Sequence, residues 1–308
     1  MGDGQGLSGT HRIGSAGVWS NFDRLPADEL VAFARAAEAR GYHAFWTQES
    51  AGRDPFALLG HLAAHTERVR LGVGIAVIYG RDAVAMRAGA ATVQELSGGR
   101  MVLGVGASHH DTVSEVRGHA YRRPLAAMRE FLDAYERAIY RAPEPHGRAL
   151  LVLAALRRRM LSLAATRADG AFPYLVPVEY VAQARRTLDE AAAAEGRRRP
   201  LLVVSQACLL EADAGVARAA ARRYLDRYLG LPNYLNNLRE LGFGDEDLAK
   251  PGSDRLVDAL VSWGDETTVR ARLRAMLDAG ADHVALIPLT AAGAMADRRT
   301  MEALAPPW

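Results

Sequence analysis

The chain has 308 residues, 49% of them hydrophobic, enough for one large core without a second domain. A formal charge of +2 leaves no strong field to draw it to nucleic acid or a membrane surface, although the sequence pI is near 8.8. Cys208 is the only cysteine, which excludes an intrachain disulfide and suits a reducing cytoplasm, and no apolar run reaches the length of a membrane span.

Residues 1–11 are Gly-rich and polar and read as a disordered tail, so a single domain is expected over 12–308. Arg12–Trp19 reads as a first strand. Pro26, Asp28 and Glu29 start a helix near Ala27 that Gly41 ends. His43–Thr47 is a second strand. Asp54-Pro55 then opens a helix, with Asp54 as N-cap and Pro55 at the first helical position. Val69–Ile78 is a third strand, Ala83–Leu96 its helix, and Arg100–Val105 a fourth strand. A long polar connection, Ser108–Arg123, leads to a helix over Pro124–Tyr140.

The rhythm continues with strands at Leu150–Ala155, Gly170–Val176 and Leu201–Leu209. Their helices are Arg157–Ala168, Glu179–Ala194 and Ala212–Leu229. Gly230–Gly264 breaks the pattern, and a helix at Glu266–Ala279 and a strand at His283–Leu289 restore it. Eight strand–helix units with right-handed crossovers predict a closed (β/α)8 TIM barrel with an insertion at 230–264 over its C-terminal face. An open doubly wound sheet is the alternative, but it lacks its GxGxxG fingerprint after the first strand.

The stretch Gly99–His110 (GRMVLGVGASHH) carries the strongest chemical signal. A buried strand that ends in small residues and then polar ones is how the ligand end of a barrel strand reads. Small residues there let the backbone approach a ligand, and free amides can hold a phosphate. Arg157-Arg158-Arg159 opens the helix after the fifth strand, where helix N–H groups and guanidiniums suit a phosphate. Arg197-Arg198-Arg199 precedes the seventh strand at the opposite face and reads as surface. His61 and His65 have zinc-binding i, i+4 spacing, but they lack the Glu of HExxH and sit on an outer helix, so no metal is expected.

The chain resembles the luciferase-like superfamily, and within it the deazaflavin (coenzyme F420)-dependent oxidoreductases of actinobacteria. The resemblance rests on Phe45-Trp46, Glu49, Gly52–Phe56, Thr66–Gly72, Gly98–Gly106, Arg117-Gly118-His119, Arg123-Pro124-Leu125, Ala168-Asp169-Gly170, Leu231–Asn237 and Ala279–Val284, in that order and spacing. It implies a ring over the C-terminal face near Gln48, Glu49 and Val77, backed by a non-proline cis peptide at Gly74–Ile75. The phosphate is expected between Ala107-Ser108 and Leu156-Arg157-Arg158. Relatives often carry Gly-Pro where Arg157-Arg158 stands, and a carboxylate where His109 stands.

The expected activity is hydride transfer, as a reductase, between reduced deazaflavin and a small unsaturated organic substrate (C=C or C=N). His109 and Glu49 are the proton-handling candidates, and each is equally well an orienting partner of the cofactor. Trp19, Tyr174, Asn233, Tyr234 and Asn237 are the substrate-facing candidates. A cytoplasmic homodimer is expected. The rivals are an FMN-dependent monooxygenase on the same fold and a catalytically silent flavin-binding paralogue.

Overall fold

The computed structural model describes residues 13–145 and 147–308; the tail expected over residues 1–11 lies outside them. In chain order the elements are β1 (Ala16–Trp19), α1 (Ala27–Ala39), β2 (Ala44–Thr47), α2 (Pro55–Ala63), β3 (Arg70–Val77), α3 (Ala83–Leu96), β4 (Met101–Gly106), α4 (Pro124–Arg137), β5 (Leu150–Leu153), α5 (Arg158–Arg167), β6 (Gly170–Ala171), α6 (Val178–Ala194) and β7 (Leu201–Leu210). They continue as α7 (Ala214–Leu225), α8 (Pro232–Glu240), α9 (Asp245–Leu248), α10 (Asp254–Leu260), β8 (Val261–Gly264), α11 (Glu266–Asp278), β9 (His283–Pro288) and α12 (Arg298–Ala303). Helix starts follow capping chemistry. Asp54 accepts from the amides of Phe56 and Ala57 with Pro55 behind it, and Asp82, Asp213, Asp265 and Asp297 each cap their own helix in the same way.

All strand pairs are parallel, and β1 to β7 with β9 close a barrel of eight. Consecutive strands pair as the strand–helix rhythm predicts, and β9 closes the ring between β7 and β1. The insertion changes one seam. The sixth strand is only Gly170–Ala171, not the expected Gly170–Val176, so besides β5 it reaches just Leu201 and Leu202 of β7. Because Ala207 and Cys208 already pair with β9 on one edge, β8 must lie along the other edge, the one that β6 uses lower down. The last four residues of the insertion therefore form a ninth strand that the alternation of hydrophobics did not separate from a loop. Short α12 was not expected either; it packs on the barrel behind Asp297.

Inside the barrel, large rings fill space left by glycine. Trp46 is fully buried, and a Cβ at Gly72 would stand 2.2 Å from its ring. His283, at the N-terminal end of β9, is also fully buried; a Cβ at Gly17 would stand 2.4 Å from its Nε2. Its Nδ1–H donates to the Gly14 carbonyl at 2.7 Å, and its Nε2 accepts from the Trp46 indole at 3.0 Å. Both nitrogens are thus used by a neutral ring, and burial, with His43 nearby, holds the imidazole down to about 4 against the pull of the Gly14 carbonyl. This floor is a satisfied polar network within an apolar core.

Candidate functional site

The candidate site is built at the C-terminal strand ends, where side chains and amides not used by the barrel collect. At the end of β1, Trp19 is buried and its indole N–H donates to the Gly74 carbonyl at 2.7 Å. The Gly74–Ile75 peptide is cis, as the resemblance leads one to expect. Gly74 has no room for a side chain: a Cβ there would meet Phe172 at 2.5 Å.

Glu49, just past β2, is turned inward. One of its carboxylate oxygens accepts from the Val77 amide at 2.6 Å and from Arg81 at 3.1 Å, and the other accepts from Arg117 at 3.0 Å. Its side chain is 5% exposed. The carboxylate therefore ties the ends of β2 and β3 to the loop after β4, and its oxygens are already engaged. Gln48 beside it is half-buried. Arg81 and Arg117 were missed from sequence, although Arg81 directly follows the predicted ligand end of the third strand.

After β4 the chain turns sharply. Ser108 has φ +61°, the left-handed region that a residue with a Cβ seldom adopts, and its carbonyl is held by the Tyr121 hydroxyl at 3.2 Å. No backbone hydrogen bond is donated by the amides of Ala107, Ser108 and His109 among the described residues. Leu156 and Arg157 follow the neighbouring strand β5, whose Leu153 pairs with Val105. The α5 helix that starts there has no side-chain cap, so its first amides are likewise open. Arg157 pairs with Glu240 at 3.4 Å, with both side chains half-exposed, and Arg158 is exposed.

His109 closes the turn. Its ring packs on Tyr234 at 5.1 Å between centroids and makes no hydrogen bond among the described residues. Burial lowers its pKa below the ordinary imidazole value, and the nearby Arg227 charge adds to this while Asp111 opposes it. The rings then run on across the mouth: Tyr234 lies 6.0 Å from Tyr174, and Tyr174 lies 5.3 Å from Trp19. The Tyr174 hydroxyl reaches the hydroxyls of Tyr224 at 2.6 Å and Tyr228 at 2.9 Å. Those two tyrosines were not singled out from sequence, yet their i, i+4 spacing near the end of α7 places both on one side of the chain. Of the substrate-facing candidates, Trp19, Tyr174 and Tyr234 thus come together with His109. Asn233 is exposed on the outer side of α8, and Asn237 turns toward α5 and α6.

His61 and His65 stack at 4.4 Å, with the His65 Nδ1 on the His61 carbonyl at 2.8 Å. Arg199 pairs with Asp282 at the N-terminal face.

A phosphate-bearing planar cofactor fits part of this geometry directly: a left-handed turn with open amides lies beside an uncapped helix start. The other part, the mouth beside Trp19 and Gly74, is covered by the tyrosines.

The family description "Luciferase-like monooxygenase" matches residues 9–283. A Mycobacterium tuberculosis protein provisionally named a coenzyme F420-dependent oxidoreductase is 28% identical over 249 residues, covering 70% of this chain and 71% of that one. An F420-dependent secondary alcohol dehydrogenase, solved with an F420–acetone adduct, superposes with a TM-score of 0.78 at 12% identity, over 94% of this chain and 96% of the other. The oxygenating component of a Pseudomonas putida 3,6-diketocamphane monooxygenase, solved with FMN, superposes at 0.70 and 14% identity, over 95% and 96%. With the barrel closed, its ligand end populated and nine-tenths of the sequence matched, the chain belongs to the luciferase-like monooxygenase family.

Proposed function

We propose that this protein is a coenzyme F420-dependent oxidoreductase that passes a hydride between the deazaflavin and a small unsaturated organic substrate, with proton transfer at His109. One observation carries the reading. At the end of β4, amides with no backbone partner and an imidazole with no hydrogen bond stand side by side on consecutive residues. Such a turn can hold an anion while its next side chain works on whatever the anion anchors. The F420-dependent relative and structural neighbour support deazaflavin over other hydride carriers.

When bound, the deazaflavin supplies a two-electron carrier that accepts or donates hydride at carbon. The Ala107–His109 amides and the α5 start hold the phosphate, with Ala107, Ser108, Leu156, Arg157 and Arg158 lining that end. Gln48, Gly74, Ile75 and Val77 form the wall beside the ring. Trp19, held on the Gly74 carbonyl, would stand as a fixed side chain at that end of the pocket.

His109 moves the proton. Its neutral form can accept one from a hydroxylated or aminated substrate. Its protonated form, made a stronger acid by burial, returns one to a substrate reduced by hydride. Glu49, with both oxygens engaged, positions the β2 and β3 ends rather than donating a proton. The 230–264 segment is the lid: Tyr234 on α8 covers His109 and moves aside when ligands enter.

The FMN monooxygenase remains a specific second reading because a structural neighbour holds FMN. Incubation of the purified protein with reduced F420 and, separately, reduced FMN tests both. Retention of deazaflavin without oxygen uptake is expected. Retention of FMN with oxygen uptake would establish the monooxygenase, and retention of neither would leave a silent paralogue.

A further inference from the structure

Beside the phosphate end, and outside the barrel mouth, a cavity of about 260 Å³ opens between α5, α6 and α8. Leu156, Leu161, Tyr180 and Ala184 line its floor, and all four are buried. Asn237 also faces it. That side chain is 3% exposed, and its Nδ2 is buried without a hydrogen-bond partner. A buried amide donor left open costs free energy unless something accepts from it, so it points to an acceptor that enters this cavity.

The rim carries charge. Arg158 and Arg186 have no ion pair among the described residues, whereas Arg157 is engaged by Glu240. Glu190 stands opposite as a lone acid, so two guanidiniums remain against one carboxylate. The open start of α5 adds its amides on the same side.

We infer that this cavity binds an amide-linked chain of carboxylates, with an amide carbonyl on Asn237 and carboxylates on Arg158 and Arg186. An apolar floor with one amide donor suits the chain itself, and rim guanidiniums suit its acids. The inference rests on the proposed function, because the cavity shares Leu156, Arg157 and Arg158 with the phosphate end. It deepens that reading by naming the ligand: the oligoglutamyl tail of coenzyme F420, which FMN lacks. The cavity then becomes the feature that separates the two cofactors.

Fluorescence titration tests this without turnover. The probes are F420 with its oligoglutamyl tail, the same molecule without glutamates, and the free γ-linked glutamyl peptide. Wild type is expected to bind the tailed form about tenfold more tightly than the tail-less form, a gain that high salt erases. Asn237→Leu and Arg186→Ala should each reduce that gain while leaving tail-less affinity unchanged. Circular dichroism of each variant confirms that it is folded.

Equal binding of tailed and tail-less forms by wild type would overturn the tail assignment and leave the cofactor reading standing. Binding of neither would overturn both. Binding of the free peptide as tight as that of the tailed cofactor, with the same dependence on Asn237 and Arg186, would assign the cavity to a free carboxylate and also overturn it.

Discussion

Two histidines, one at each end of the barrel, both carry lowered pKa values, yet their surroundings differ: His283 is fully buried and His109 is only partly so. His283 at the floor uses both nitrogens, donating to Gly14 and accepting from Trp46, within a packed ring of aromatics and glycine gaps. His109 at the mouth is only partly buried, its ring makes no hydrogen bond among the described residues, a left-handed residue precedes it, and Tyr234 of α8 packs on it. Unequal hydrogen bonding separates the structural imidazole from the one proposed to move a proton. A satisfied ring stabilises one fold, whereas an open ring costs stability that only a ligand recovers.

The sharpest way to break this comparison is to remove the floor ring. His283→Leu leaves the Trp46 indole and the Gly14 carbonyl without partners in the core, and the expected loss is about 4 kcal/mol of unfolding free energy. Urea unfolding checks it, and a loss under about 1 kcal/mol would show that the floor network is ornamental. Next in size is the effect of acid. The folded pKa of His283 is about 4 against 6.5 in the unfolded chain, so between these values the unfolded state binds more protons. Its stabilising contribution is therefore full above about pH 6.5, falls as pH drops, and is gone below about 4, for a total of about 3 kcal/mol. Unfolding of wild type against His283→Gln across that window should show the slope in wild type alone.

At the mouth the same change of pH acts in the other direction. In the proposed mechanism reduction uses protonated His109, so turnover should rise as pH falls below the ordinary imidazole range, until acid weakens the floor. His109→Ala should lower turnover roughly a hundredfold at saturating cofactor, abolish that pH dependence, and leave cofactor affinity and stability nearly unchanged. Normal turnover in this variant would make the imidazole a bystander. The smallest effect belongs to Glu49. Glu49→Gln loosens the hold on Arg81 and Arg117, and cofactor affinity is expected to fall about tenfold while turnover at saturation stays within about twofold. A kcat loss larger than the affinity loss would return Glu49 to the list of proton donors.

Much of this architecture was legible in the chain. Alternating apolar strands and capped amphipathic helices specify local structure within a few residues of each other. Asp54-Pro55 marks the start of α2 to the residue, and the small residues Gly104, Gly106 and Ala107 mark the ligand end of β4. What periodicity does not contain is which edge a strand finds. Val261–Gly264 reads as a loop end until β7 offers it the edge that a two-residue β6 leaves free.

Side-chain roles divide in the same way. Residue type nominates both Glu49 and His109, which stand just past strand ends, and favours His109 because an imidazole titrates near neutral pH. Only the folded chain brings Arg81 and Arg117 onto one of them and Tyr234 onto the other. Asn237 was nominated for the mouth, yet the pitch of α8 turns it to a different cavity one helical turn from Tyr234. The sequence by itself determined the strands, the caps and the ligand end, since these depend on neighbours within a few residues. Tertiary structure decided which polar groups are satisfied and which remain open, since that depends on partners tens to hundreds of positions away.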